Sequence, residues 1–324
     1  MSSINPSRRE NRAWMDTALV GGLVAVVIVG LVALAHTTSW TEIWAQIQKL
    51  SSTSVAILLL LSIANYGMRA VRWHLFTRRL GLPTSLAANM RHYLGGFAMS
   101  VTPGRVGELI RIRWLLRETD WGVERTAPLA LVDRAADLAA MALILGLALL
   151  LSAGGMAFAL PFAGIALAIA ILATQPKLLS ALVTLLFRAT GIFPRLMGRV
   201  RRAARSLRLF MTPKVLTLAG ALSMLGWLAE GYAFYLLLNW MGAPLPFWMA
   251  VAVFTFATLA GGLTGAPGGL GGAEAAMVAL LSLEGVPLEV SIPATAIIRL
   301  TTLWFAIAIG LAAFPIAEKY ARRT

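Results

Sequence analysis

Glu108 and Glu274 are acids in surroundings that ask for a reason. Each follows a Pro-Gly and further glycines: Thr102-Pro103-Gly104-Arg105-Val106-Gly107-Glu108 in one place, Ala266-Pro267-Gly268-Gly269-Leu270-Gly271-Gly272-Ala273-Glu274 in the other. An arginine comes 26 positions after the first glutamate (Arg134) and 25 after the second (Arg299), near the start of an apolar run that later contains Gly146 or Gly310. A charge at the centre of a membrane helix costs about 2.5–3.5 kcal/mol on insertion scales, so each needs a partner, an interfacial position or an aqueous cavity.

Three further places raise the same question. Asp133, Arg134 and Asp137 fall in one helical turn, where Arg134 and Asp137 are spaced to pair on one face; a structural ion pair and a ligand site both fit. Glu230 sits in the middle of an apolar run, so its partner comes from another helix, with Arg299 or Arg134 the candidates, or it carries a proton. Arg105, with Arg111 and Arg113 just beyond, offers bidentate donors to a phosphate beside the N–H groups of a helix start, and a phospholipid headgroup is the natural anion. Glu108 and Glu274 would also favourably meet the positive end of a helix dipole, so capping is an open alternative for them. The glycines and prolines Pro103, Gly104, Gly107, Pro267, Gly268, Gly269, Gly271 and Gly272 are the expected hinge positions.

Catalytic signatures are missing. There is no HExxH, Walker-type GxxxxGK[ST] or GxSxG spacing, and His92 has no nearby histidine or cysteine to share a metal. PGGLGG follows an apolar helix rather than a strand in a βαβ unit, which argues against a phosphate-cradling loop. No catalytic residue, metal or cofactor is expected.

The elements that must hold these charges are membrane helices. Hydrophobic residues make up 59% of the chain and charged ones 13%, against about 25% charged in soluble domains. Apolar runs near the length of a bilayer crossing, about 20 residues, lie at Thr17–Ala35, Thr53–Met68, Ala127–Leu151, Met156–Thr174, Val215–Trp240 and Ala294–Pro315. The first exceeds a signal-peptide core of about 7–15 residues and reads as an uncleaved helix. With no cysteine in the chain, disulfide arguments about compartment are silent. The fold class is an all-α polytopic membrane protein of six to eight helices, one membrane domain over residues 1–324.

The net charge of +14 belongs to loops and anionic headgroups rather than to nucleic acid. Basic residues crowd two connections, Arg69–Arg91 (Arg69, Arg72, Arg78, Arg79, Arg91) and Gln175–Lys214 (Arg188, Arg195, Arg199, Arg201, Arg202, Arg205, Arg208), and both ends of the chain. The connections His36–Ser52, Ser152–Gly155 and Met241–Pro246 are nearly free of them. The positive-inside rule places both basic loops and both termini in the cytoplasm. Phe193–Phe210 alternates arginines with apolar residues as an interfacial amphipathic helix does.

Tyr93–Leu116 and Phe247–Leu283 fit neither a span nor a solvated loop. Both are expected to be broken, re-entrant helix pairs, which membrane depth tolerates only where protein or a water-filled cavity satisfies the backbone; two ordinary spans with a glycine-rich turn are the alternative for the second. From a cytoplasmic N-terminus the Arg134 helix runs outward and the Arg299 helix inward, so two halves, about 53–174 and 215–315, form an inverted repeat joined by a basic linker at 175–214. Inverted repeats with Gly/Pro-broken helices point to a transporter with its site at the repeat interface.

With SVTPGRVGELIR at Ser100–Arg111, VDRAADL at Val132–Leu138, PGGLGGAEAA at Pro267–Ala276 and the Arg299 helix, the chain resembles the lysylphosphatidylglycerol synthase transmembrane-region family of flippase-like proteins over nearly its whole length. The resemblance implies translocation of a lipid or lipid-linked headgroup between leaflets of a bacterial cytoplasmic membrane, without the soluble aminoacyl-transferase domain that some members carry. It carries over as polar positions Arg105, Glu108, Asp133, Arg134, Glu274 and Arg299; Arg111, Asp137 and Glu230 join them from the residue reading. An anionic or modified phospholipid, a hopanoid and a polyprenyl-linked lipid are the expected cargo classes. An integral-membrane transferase using Glu108, Asp133 or Glu274 as base, or a partner for a separate lipid-modifying enzyme, are the alternatives. Neither oligomeric state nor direction of transport is legible.

Overall fold

The computed structural model describes residues 44, 45, 48, 50–102, 107–119, 121–152, 156–190 and 206–322. The expected first span at Thr17–Ala35, the basic arm before it, Pro103, Gly104 and Arg105, and most of the arginine-rich stretch after 190 lie outside the described residues. Among the described residues all regular structure is helical.

Helix α1, Ser52–Leu80, opens with Ser51 Oγ accepting from Ser54 N at 3.0 Å and closes on Gly81, whose φ of 88° suits a residue without Cβ. Helix α2, Leu86–Gly96, and a 3₁₀ turn, Phe97–Met99, lead to the first break; α3, Ile110–Thr119, follows it. Then come α4, Val123–Leu151; α5, Leu160–Thr174; α6, Pro176–Thr190; and α7, Pro213–Trp240. Helix α8, Phe247–Leu263, and α9, Gly272–Leu283, flank the second break. The chain continues through α10, Leu288–Arg299, a π-helical turn, Leu300–Trp304, and α11, Phe305–Ala321.

Four helical segments are long and apolar enough to cross a bilayer: Ser52–Leu80, Arg125–Leu151, Pro213–Trp240 and Leu288–Ala321. The helices of both breaks are shorter. At 1.5 Å per residue, the 17 residues of α8 reach about 26 Å and the 12 of α9 about 18 Å, less than the roughly 30 Å hydrocarbon core. The order is therefore long helix, broken hairpin, long helix, twice over. Outward faces carry Leu60, Leu150, Leu225 and Leu283, each more than half exposed. Such surfaces are stable only against lipid, and the chain is a multi-pass integral membrane protein.

Two expectations need correction. The apolar run Met156–Thr174 is α-helical as α5 only from Leu160, after a 3₁₀ turn at Ala157–Ala159; at about 22 Å this helix is shorter than the expected bounds allowed. Arg69 and Arg72 do not lie in a solvated loop. Helix α1 carries on to Leu80, and these arginines are 3% and 0% exposed.

Packing is reciprocal between the parts. Helix α1 runs along α7, α2 lies against α11, and α8 lies against α4. At the first crossing the backbones come close: a Cβ on Gly226 would stand 2.7 Å from Asn65 Oδ1. At the second, a Cβ on Gly310 would stand 2.2 Å from Ala98 N, so only glycine fits.

Candidate functional site

The four helices α1, α3, α4 and α7 converge on one buried charge network. Arg72, on α1, donates from Nη2 to Asp133 Oδ1 at 2.6 Å, and from Nη1 to Asp137 Oδ1 at 2.7 Å and Ser223 Oγ at 2.6 Å. Arg69, one turn earlier, donates to Asp137 Oδ2 at 2.6 Å. Asp137 also accepts from Trp227 Nε1 at 3.2 Å. Arg111 joins from α3, donating to Asp133 Oδ2 at 3.3 Å and to Glu108, while its guanidinium lies 4.3 Å from the centre of the Tyr93 ring. Glu108 accepts from Arg134 as well, and from Ser100 Oγ at 2.7 Å.

Among the described residues this network sets four arginines against three carboxylates, leaving one positive charge in excess. Asp133, Arg72 and Arg111 are almost wholly buried, but the Arg134 side chain is 38% exposed. Arg134 is the most exposed of the four arginines. The expected i,i+3 pair between Arg134 and Asp137 does not form, because Arg69 and Arg72 already fill both oxygens of Asp137 and Arg134 turns to Glu108.

The second half holds a simpler version. Glu274 lies in the first turn of α9, and Arg299 closes α10, donating from Nε to Glu274 Oε1 at 2.6 Å and from Nη2 to the carbonyl of Gly268 at 2.9 Å. Both glutamates after a glycine-rich break therefore pair with the arginine at the spacing seen in the sequence. The backbone that allows this is glycine: Gly268, Gly269 and Gly271 have φ of 63°, 70° and 79°. Gly107 is confined differently, since a Cβ there would meet Thr102 Cγ2 at 2.7 Å.

Arg134 and Arg299, one from each half, line a single cavity of about 400 Å³. Asp137, Gly268, Gly269 and Thr258 complete its polar side, and Leu138, Met141, Phe162, Ile165, Phe256 and Leu259 make apolar walls. Its volume lies within the range of small-molecule pockets, and like them it is mostly apolar with a few polar groups. Glu230, 5% exposed, faces a smaller cavity of about 30 Å³ instead, shared with Arg69, Arg299, Ser100 and Thr302. A further cavity of about 320 Å³ lies across α4 between Ala136, Ala139, Ala170 and Ala219 and has no charged residue in its lining.

The residues missed in the sequence are Arg69, Arg72, Ser100, Ser223 and Trp227. Arginines beyond an apolar run read as loop markers, yet Tyr66, Arg69, Trp73 and Phe76 recur at helical spacing and are all buried on α1. That periodicity was the available signal.

A polytopic helical membrane protein with two glycine-broken hairpins and paired buried arginines is the class defined so far. The sequence profile described as the lysylphosphatidylglycerol synthase TM region matches residues 19–310. The chain belongs to that family. Two curated relatives, each called a UPF0104 membrane protein of Methanothermobacter thermautotrophicus, are similar over parts of their length. One is 35% identical over 126 residues, 37% of either chain. The other is 33% identical over 89 residues, 28% of this chain and 27% of the relative. The matches span about a third of the relatives' length.

Proposed function

We propose that the chain translocates a lipid with an anionic headgroup between leaflets, with the headgroup at Arg134 and Arg299 and an acyl chain along the apolar wall of the 400 Å³ cavity. The observation that carries this is the shared cavity: one arginine from each half, each already hydrogen-bonded to its own glutamate, opening onto a wall of aliphatic and aromatic side chains. Arg105 joins them as a headgroup ligand in this reading, and Arg111, Asp133 and Asp137 hold Arg134's surroundings in place.

The two halves act as an inverted repeat that rocks around this site. Support comes from the order long helix, hairpin, long helix, repeated, and from the position of the basic residues. Arg78 and Arg79 close α1, Lys214 opens α7 and Lys319 lies in the last turn of α11, whereas the connections at 241–246 and 284–287 contain no Lys or Arg. These ends face the cytoplasm under the positive-inside rule. Helices α1 and α7 then run in opposite directions, and their close contact joins Asn65 and Gly226, each the fourteenth residue of its helix.

A lipid-linked transferase would need a carboxylate ready to take a proton. Glu108, Asp133 and Glu274 each accept from an arginine, which favours translocation. The test is leaflet exchange of headgroup-labelled anionic, zwitterionic and polyprenyl-linked lipids in proteoliposomes. Exchange faster than in protein-free vesicles, and lowered at least about tenfold by Arg134→Ala, which corresponds to one lost charged hydrogen bond of ~1.5 kcal/mol, is the expected result. Unchanged exchange for the whole panel would refute the reading.

A further inference from the structure

We propose that the apolar groove of about 320 Å³ along α4 holds an acyl chain of an anionic phospholipid, whose headgroup lies at Arg208 and Lys214. This is a second lipid site, separate from the 400 Å³ cavity. That cavity runs along Asp137, Leu138 and Met141 of α4, whereas the groove runs along Val132, Ala136, Ala139 and Leu143 of the same helix. The other walls of the groove are α5, α7 and the 3₁₀ turn Leu207–Phe210, which precedes α7. A lipid bound there need not move between leaflets, so the site does not depend on the translocase reading.

The shape suits one lipid tail. From Val132 to Leu143 is eleven residues, about 16 Å at 1.5 Å per residue, close to half of the roughly 30 Å hydrocarbon core. The groove is therefore one leaflet deep. Leu143, Ile171 and Leu216 line it and are each more than two-fifths exposed, so it opens sideways to the bilayer. Gly220, on α7, lines it too, and a Cβ there would have nothing within 4 Å. No close crossing accounts for this helix-interior glycine, in contrast to Gly226. Water is a poor occupant: the one hydroxyl in the lining, Thr174 Oγ1, already donates to the carbonyl of Ala170 at 2.8 Å, and an apolar cavity stays dry. A hydrocarbon chain from the surrounding bilayer fills the space without stranding a polar group.

The charge at the end of the groove selects the headgroup. Phe210 and Val215 line that end, and Arg208 and Lys214, two residues and one residue before them, are both exposed. Residues 175–214 contain no Asp or Glu. Arg79 joins the same end: its Nε donates to the carbonyl of Leu209 at 3.0 Å, which ties the turn to α1. Cations at the rim of a leaflet-deep groove favour an anionic headgroup over a zwitterionic one, and the positive-inside rule makes that leaflet the cytoplasmic one. Helices α4 and α5 belong to the first half and α7 to the second, so a bound lipid bridges the two.

The test uses the full chain in mixed micelles with phosphatidic acid that carries a photoreactive group on one tail, the labelled peptides being mapped by mass spectrometry. Wild type should be labelled on the groove faces of α4 and α7. Unlabelled phosphatidic acid should suppress that labelling at a far lower concentration than phosphatidylcholine with the same tails. Gly220→Phe fills the groove from α7 and Ala139→Phe from α4; each, once shown to be folded by its unfolding midpoint, should lose the groove labelling. Arg208→Gln with Lys214→Gln should raise the phosphatidic acid needed for competition about 25-fold, at about fivefold per cation. Ala166→Trp, which fills the other cavity, should leave the groove labelling as it is. Labelling spread evenly over the lipid-facing helices, labelling that persists in a folded Gly220→Phe chain, or equal competition by the two lipids overturns the site. Competition in wild type decides the question even if neither filled variant folds. A wild type that keeps this labelling but exchanges no lipid overturns the translocase reading alone.

Discussion

At the scale of residues, the arginines divide by what reaches them. Arg72 is fully buried, with three side-chain partners, so removing either side of its network strands a charge away from water. Arg72→Ala or Asp137→Asn should lower stability by about 3–5 kcal/mol, read as a fall in the unfolding midpoint in detergent. Arg134, 38% exposed to the cavity, should cost about 1 kcal/mol or less on the same assay while sharply reducing lipid exchange. Equal stability losses for the two would show that Arg134 is structural. Here the sequence was a good guide to pairs whose members lie a fixed distance apart, Glu108 with Arg134 and Glu274 with Arg299. It was a poor guide to Arg69 and Arg72, because their role depends on which helix faces bring Asp133, Asp137 and Ser223 to them, and long-range contact leaves no spacing in the chain. The expected Arg134–Asp137 pair failed for the same reason: local geometry permitted it, and remote arginines outcompeted it.

At the scale of elements, both interruptions were visible because Pro and Gly have positional meaning: a helix cannot run through Gly265, Gly268, Gly269 and Gly271 at positive φ. The boundaries of α1 and α5 were less visible. Arginine content hid the last three turns of α1, and the apolar composition of Met156–Thr174 concealed how short its helix is. The contact of α11 with the turn after α2 gives an element-level prediction. Gly310→Ala would place a methyl 2.2 Å from Ala98 N, forcing the two apart and costing about 1–3 kcal/mol. Gly146→Ala, at the matching point of the first half with nothing within 4 Å, should be neutral or stabilising by up to about 1 kcal/mol, as expected for a helix-interior glycine. Thermal unfolding of the two variants side by side checks both signs; a stable Gly310→Ala would mean that α11 does not rest on that turn.

At the scale of the whole molecule, the composition alone placed the chain in a bilayer, and the exposed leucines of its outer faces agree. What no composition could convey is that the 400 Å³ cavity takes one arginine from each half, since that depends on α4, α5, α8 and α10 meeting in space. If lipid passes through this cavity, filling it should stop the movement without disturbing the ion network. Ala166 lines the cavity from α5 and is remote in sequence from every charged residue named above. The decisive measurement is leaflet exchange of a headgroup-labelled anionic lipid in proteoliposomes, wild type against Ala166→Trp, each first shown to be folded by its unfolding midpoint. The account predicts exchange well above protein-free vesicles for wild type and near that baseline for the filled variant; equal exchange in the two would contradict it.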